Sequence, residues 1–371
     1  MWKCERCQSS HPDLFFVFHQ EIKCRTCLSV MVSEPIEVSV PTHLIEDIEL
    51  SFDLTPKQKE VSHRLSCSNS KLILLEAVCG AGKTEIVLEL IKDRLNKQHK
   101  VGWAIPRRQV VLELTARLQK VFPKLSVIAV CEGYTENLSG DLVLFTTHQA
   151  FRYHQSFDVL ILDEVDAFPY KGNPHLEYLV SQTYSKQCIM MSATIPQSHR
   201  QLIKESKLEH IFCYERPTRV PLMIPQVIKT YRSWMMFWVL VLLKRQKKWL
   251  IFVPTHALAK RVAFLLRCES LTSKSQNKED IIQRFSNNDE GRLVCTTILE
   301  RGVTFYNVHV MVLMAHHQVF DEASLVQIAG RVGRHMSAPV GDVFFLVSEQ
   351  SDEVASCIQT LQNANRIAYG V

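Results

Sequence analysis

The 371-residue chain has no apolar run longer than ten residues, and that one, residues 234–243, is half of the roughly 20 that a bilayer-spanning helix needs. A membrane-spanning segment is therefore not expected. The run reads as a buried helix, with the basic stretch 244–248 as its solvated C-terminal end, where cations complement the helix dipole. A secretory signal is not expected at the start, since residues 1–7 are polar and already hold two cysteines. Low-complexity segments and short repeats are absent. A strong charge of one sign is also missing: the net value is +5, too mild to mark a nucleic-acid binder by itself. Residues 1–50 carry four Lys/Arg against eight Asp/Glu, so the N-terminus is not a basic tail and the remainder is net +9.

What is present is ordinary globular material, 46% hydrophobic and 22% charged, enough for two domains of about 150 residues and a small module. Twelve cysteines without a signal segment fit a reducing cytoplasm better than a disulfide framework. Cys188 and Cys295 lie in apolar strand-like runs and read as core packing.

Four other cysteines are organised. Cys4, Cys7, Cys24 and Cys27 form a C-x2-C-x16-C-x2-C pattern. Two such knuckles suit a tetrahedral Zn²⁺ held by four thiolates at about 2.3 Å. Four ligands close the shell, so the expected role is structural, and His11 and His19 are spare. Trp2, Phe15, Phe16 and Phe18 either supply the small core of this module or stack on bases. The acidic stretch that follows, with Pro35 and Pro41, reads as a linker.

From residue 71 short continuous apolar runs alternate with amphipathic stretches. Residues 71–78, 101–105, 126–131, 141–147, 158–163 and 187–192 read as buried strands, and 85–95 and 109–121 as helices. The pattern repeats, with strands over 249–253, 292–297, 308–314 and 342–347 and helices over 256–267, 278–285 and 324–332. Strand and helix in alternation imply parallel sheets covered on both faces. The expected organisation is a four-cysteine module over 1–30, a linker over 31–51, a first α/β lobe over 52–215, a hinge over 216–227 and a second lobe over 228–371. Two such lobes create a cleft.

Between a strand and a helix stands Ala77-Val-Cys-Gly80-Ala81-Gly82-Lys83-Thr84. The backbone N–H groups of such a loop, with the helix N-terminus, cradle phosphates; Lys83 reaches the β- and γ-phosphates of ATP and the Thr84 hydroxyl takes Mg²⁺. About 80 residues on, an apolar strand ends in Asp163-Glu164-Val165-Asp166. Asp163 is the expected Mg²⁺ ligand, and Glu164 orients or deprotonates the attacking water. Near the C-terminus Gln327-Ile-Ala-Gly330-Arg331-Val-Gly333-Arg334 sets two arginines three apart, read as one helical face that clamps a γ-phosphate as an arginine finger does. Arg334 is the expected direct contact, with Arg331 close behind.

Together these blocks resemble the superfamily 2 helicases, over roughly residues 52–371. The resemblance implies a motor of two RecA-like lobes that hydrolyses ATP between them. Ala77–Thr84 is similar to motif I, Asp163–Asp166 to motif II, Ser192-Ala193-Thr194 to motif III and Gln327–Arg334 to motif VI. Leu54-Thr55-Pro56-Lys57-Gln58 is similar to the upstream element whose glutamine, here Gln58, reads adenine. More narrowly, the four-cysteine module, Gly82-Lys83-Thr84-Glu85, Ala104-Ile105-Pro106-Arg107, Asp163-Glu-Val-Asp-Ala-Phe-Pro169 and Gln327–Arg334 resemble a family of bacterial competence proteins that are similar to DEAD-box helicases.

That resemblance implies a translocase that pulls single-stranded DNA inward at the cytoplasmic face of a membrane channel during natural transformation, working with the channel and other uptake proteins. By analogy, nucleic acid meets Pro106, Arg107, Arg108, Thr146, Thr147 and His148 in the first lobe and Thr255 and Thr297 in the second. Ser192 and Thr194 link phosphate state to lobe closure. Three other readings remain open at this level: a duplex-unwinding primosomal or repair helicase, an RNA helicase of the DEAD type, and a nucleotide-gated DNA-binding scaffold without turnover.

Overall fold

A computed structural model describes residues 2–4, 10–18, 21–25, 36–50, 52–243 and 247–371. Near the N-terminus, β1 (Phe15–Phe18) pairs antiparallel with β2 (Glu21–Cys24), Phe15 opposite Cys24. Trp2 meets Phe15 edge-on at 6.1 Å, and the Arg25 guanidinium lies 5.2 Å from the Phe16 ring centre. The stretch expected as a linker is irregular over residues 36–50 but docked: Asn96 brackets Ile45, accepting from its N–H at 2.8 Å and donating to its carbonyl at 3.0 Å.

By their internal contacts the residues fall into two units, Met1–Glu76 with Lys83–Phe212, and Ala77–Gly82 with Cys213–Val371. The first holds α1 (Pro56–Cys67), β3 (Leu72–Ala77), α2 (Lys83–Asn96), β4 (Val101–Ile105), α3 (Arg108–Val121), β5 (Val127–Val130), β6 (Leu142–Thr146), β7 (Phe157–Leu162), α4 (Pro174–Ser181), β8 (Tyr184–Ser192), α5 (Gln197–Lys204) and β9 (Glu209–Cys213). Its sheet runs β5-β6-β4-β7-β8-β3-β9. The pairs from β5 through β3 are parallel. Such a sheet must bury both faces, which is why its strands read as unbroken apolar runs. Leu74, Ala104, Phe145, Leu160, Leu162 and Met190 build one core with Leu176 and Val180 of α4. The alternate residues Ile73, Leu75, Trp103, Ile105 and Ile161 are equally buried on the other face. Each fully buried Leu, Ile or Val contributes roughly 1.5–3 kcal/mol.

The second unit adds β10 (Gln226–Lys229), α6 (Met235–Leu242), β11 (Lys248–Phe252), α7 (His256–Leu266), β12 (Glu269–Leu271), α8 (Lys278–Asn287), β13 (Gly291–Cys295), β14 (Val308–Leu313), α9 (Glu322–Ala329), β15 (Val343–Val347) and α10 (Asp352–Tyr369). Its sheet, β10-β15-β14-β11-β13-β12, is parallel throughout. One face packs on α6 and α7 through Val239, Ala259 and Val262. Cys188 and Cys295 are core residues, as their surroundings suggested, and burial pushes the Cys188 thiol up to about 12.

Three expectations need correction. The apolar run 234–243 does form α6, but only one side is buried, through Met235, Val239 and Leu243, while Trp234, Phe237 and Leu240 are exposed. Nor is Lys248 a solvated helix end: it opens β11, buried, with Nζ donating to the Ser286 carbonyl at 2.9 Å and lying 5.2 Å from the Phe285 ring centre. Residues 244–246 lie outside the described residues. The helix expected over 324–332 stops at Ala329, with Gly330 as its C-cap, so Arg331 and Arg334 do not share a helical face. Among the described residues no helix is long and apolar enough to cross a membrane.

Candidate functional site

In a parallel sheet the carboxyl ends of the strands gather on one edge, where ligands of α/β folds bind. The first sheet brings three motifs there on neighbouring strands: β3 runs into the phosphate loop, β8 ends at Ser192 and β7 ends before Asp163. The register places Glu76 opposite Ser192 and Leu162 opposite Met190. Gly82 has φ +78°, a left-handed turn that glycine adopts without strain, and Lys83 then opens α2. Lys83 and Thr84 are both half-buried.

Asp163 is anchored through its N–H to the Ala104 carbonyl at 2.9 Å, and its Oδ1 accepts from the Glu164 N–H at 2.8 Å. Glu164 takes φ +52°, a region costing a non-glycine residue on the order of 1–3 kcal/mol. Bonds on either side hold it there: Val165 N–H to the Met191 carbonyl at 3.3 Å and Ala167 N–H to the Glu164 carbonyl at 2.9 Å. The Thr84 hydroxyl and the Asp163 carboxylate offer hard oxygen donors of the kind Mg²⁺ takes beside phosphates. Ser192 Oγ donates to the Thr194 carbonyl at 2.6 Å and accepts from the Thr194 N–H at 3.2 Å, and Thr194 Oγ1 donates to Asp166 Oδ2 at 3.0 Å.

In the second unit, Arg331 is 1% exposed, its Nε donating to the Glu300 carbonyl at 3.2 Å. Arg334 is half-buried, its Nε donating to the Gly330 carbonyl at 2.8 Å. Of the pair, Arg334 is the one nearer solvent. Segment Ala77–Gly82 groups with this unit: the Cys79 thiol donates to Gln327 Oε1 at 3.0 Å, and a Cβ on Gly330 would stand 2.4 Å from that of Cys79.

Sequence reasoning missed Arg216. It is 2% exposed and donates to four carbonyls: Cys79 at 2.8 Å, Val332 at 2.7 Å, Gly330 at 3.1 Å and Gly333 at 3.2 Å. Burial, and then the nearby Arg334, push its guanidinium down to about 10, so it is charged at neutral pH. A lone arginine in a proline-containing stretch carries no signal of this, because all four acceptors are remote backbone atoms.

The remaining candidates are dispersed. Gln58 is fully buried in the capping box of α1, its Oε1 accepting from the Thr55 N–H at 2.9 Å. Pro106 is buried and Arg107 half-buried. Arg108 donates to the Glu132 carbonyl at 2.9 Å, its guanidinium 5.6 Å from the Tyr134 ring centre. Thr146 and Thr147 are buried, leaving His148 as the exposed member of that trio. Thr255 is exposed but caps α7 by accepting from the Leu258 N–H at 3.2 Å. Thr297 is half-buried at the start of a single turn.

Of the four-cysteine set, Cys7 and Cys27 lie outside the described residues. Cys4 and Cys24 are not disulfide-bonded and belong with Phe15 to one apolar cluster. Among the described residues no group of three or more His, Cys, Asp and Glu is placed to hold a metal.

Residues 55–202 match the DEAD/DEAH box helicase family and residues 234–336 the helicase conserved C-terminal domain. Competence protein ComFA of Bacillus subtilis is 30% identical over 100% of this chain and 87% of its own length. Its namesake in Streptococcus pneumoniae is 32% identical, over 98% and 90%. The DEAD-box helicase Mss116, solved bound to ssRNA and UDP-BeF, superposes with a TM-score of 0.62 at 18% identity, covering 83% of this chain and 77% of that one, a likeness of fold. Two parallel-sheet RecA-like units bearing helicase motifs, with whole-length relatives above, place the chain in the ComFA family of superfamily 2 helicases, as an ATP-hydrolysing enzyme.

Proposed function

We propose that the chain is an ATP-driven translocase on single-stranded DNA that serves DNA uptake in natural transformation. The observation that carries this reading is the convergence of Lys83–Thr84, Asp163–Glu164 and Ser192–Thr194 after the neighbouring strands β3, β7 and β8. Lys83 neutralises the β- and γ-phosphates, Glu164 orients the attacking water, and Gln327 and Gln58 belong to the nucleotide pocket. Mg²⁺, when bound, supplies charge neutralisation at the phosphates through Thr84 and Asp163. Arg334 supplies the second-unit charge on the γ-phosphate. Arg331, buried and tied to the Glu300 carbonyl, supports the backbone that presents it.

Release of phosphate removes the ligand that these groups share, and Ser192 and Thr194 pass that change to the nucleic-acid grip. Arg107, Arg108, His148, Thr255 and Thr297 contact backbone phosphates, with Pro106, Thr146 and Thr147 shaping the loops behind them. Contacts of this kind ignore base identity, which suits a motor that must move along any sequence. A structural Zn²⁺ on Cys4, Cys7, Cys24 and Cys27 ties the N-terminal module together. Membrane attachment runs through a channel and other uptake proteins.

The test is ATP hydrolysis by purified protein with single-stranded DNA, duplex DNA or single-stranded RNA, alongside Lys83→Ala. Single-stranded DNA should stimulate most, and the variant should be inactive. Strongest stimulation by duplex DNA would favour unwinding, and by RNA an RNA helicase. No turnover with any nucleic acid would overturn the motor reading in favour of a gated scaffold.

A further inference from the structure

The turn after β7 is buried almost residue by residue: Val165, Asp166, Ala167 and Tyr170 all lie inside, and Pro169 is half-buried. Phe168 alone points out, 82% exposed. The turn that displays it is pinned on both sides. The Ala167 N–H donates to the Glu164 carbonyl at 2.9 Å, Lys171 N–H to the Ala167 carbonyl at 2.8 Å, and Asn173 N–H to the Tyr170 carbonyl at 3.1 Å. Asn173 then caps α4, its Oδ1 accepting from the Leu176 N–H at 3.2 Å. The apolar area of this ring stays in water after folding, and an aromatic held in place and exposed suits a ligand with a flat apolar face.

The sheet order shows which candidate residues the ring stands beside. Running β6-β4-β7-β8-β3, the edge divides at β7. To one side lie β8 and β3, with the coupling residues and the phosphate loop. To the other lie β4 and β6, which lead into Arg107, Arg108 and His148. Phe168 follows Glu164 by four residues and lies in the turn after the strand at that division. Its flanking Val165 and Tyr170 sink into the same core cluster as Ala150 and Tyr153, from the turn Thr147–Arg152 that carries His148. The next helix, α4, packs on that turn as well. The exposed ring is thus tied to the phosphate-contacting half of the edge, and Lys171, also exposed, stands three residues away.

We propose that Phe168 is a base-stacking platform for single-stranded nucleic acid, a contact that rests on the single-strand reading above. Every base has a π-face, so stacking adds affinity without sequence preference. The carboxylate that orients water and the ring that holds a base share one short turn, so occupancy of the ring bears on the position of Glu164. The ring also requires an unstacked base, which a duplex does not offer.

The experiment measures binding of the full chain to a fluorescent oligothymidylate and to an abasic strand of equal length, for the unmodified protein, Phe168→Ala and Phe168→Trp. Because the side chain lies in solvent, both variants should fold, and equal melting temperatures check this. Phe168→Ala should bind oligothymidylate about 5- to 150-fold more weakly. Phe168→Trp should restore the affinity, and the abasic strand should be bound alike by all three. Equal loss on both strands, or no loss on oligothymidylate, overturns the stacking role. Unmodified protein that binds both strands equally overturns it too, while leaving the single-strand reading intact. If the unmodified protein binds neither strand, that reading fails and the stacking role with it.

Discussion

The Thr194 hydroxyl donates to Asp166 Oδ2 at 3.0 Å, joining the end of β8 to the turn that carries Asp163 and Glu164. Both groups are buried, so this bond is sheltered from water. Leaving a buried hydrogen-bond partner unsatisfied costs on the order of 1–3 kcal/mol, enough to shift a conformational equilibrium about tenfold. Thr194→Ala should therefore lower the stimulation of ATP hydrolysis by single-stranded DNA about tenfold, and Thr194→Ser, which keeps the hydroxyl, should recover most of it. An unchanged stimulation ratio in Thr194→Ala would mean that the bond is only structural.

Arg216 gathers the carbonyls of Cys79, Gly330, Val332 and Gly333 around one buried charge. Truncation leaves those acceptors without their donor in a site closed to water, a loss on the order of 3–5 kcal/mol. Arg216→Ala should lower the melting temperature of the second unit by roughly 10 °C. Arg216→Lys keeps the charge but offers a compact ammonium in place of a planar fork, and should fall between the two. Differential scanning calorimetry distinguishes them; a melting temperature within a degree of the unmodified protein for Arg216→Ala would refute the bracing role.

The contrast between these two sites explains what could be read from sequence. Strand β4 coincides with the apolar run 101–105, and the other central strands lie within a few residues of their runs, because a parallel sheet buried on both faces needs unbroken apolar segments. The phosphate loop, the acidic strand end and the Ser-Ala-Thr triplet are local, so each could be found from its own residues. Short edge strands such as β12, three residues long, carry too little pattern to stand out. The arginines after α9 were misread because Gln327–Arg334 has helical spacing, while Gly330 ends the helix. In α6 the uniform apolar run hid which side chains face the sheet. Arg216 acts on remote backbone, and Phe168 matters through what surrounds it.

Acid should loosen the fold before carboxylates begin to protonate. Burial holds the imidazoles of His99, His199 and His316 below the ordinary histidine range. Unfolding returns each to about 6.5, so below that pH the unfolded chain binds more protons than the folded one, and stability falls as pH drops. Asp158 and Glu209, both held low, add their loss only at more acidic pH. The melting temperature should decline from pH 7 to pH 5.5, and His199→Gln, which removes the ring beside Met190 Sδ, should flatten the slope. A flat profile in the unmodified protein over that window would contradict the assignment.

Metal content tests the N-terminal module directly. Cys4, Cys24 and Phe15 belong to the same apolar cluster as the first sheet's core, and the strand bearing Cys24 pairs with the strand bearing Phe15, so two of the four sulfurs are held in one packed region. Thiolates are the soft donors that zinc prefers, and zinc affinities of such sites are on the order of 10–16 kcal/mol, which appears as folding free energy of the module. Purified protein should carry about one zinc per chain. Cys24→Ser should carry none, while Cys188→Ser, altered in the core of the first sheet, should keep its zinc. Chelation should raise the count of thiols titratable by a disulfide reagent by about four. Zinc retained by Cys24→Ser, or no rise in titratable thiols on chelation, would show that these cysteines hold no metal.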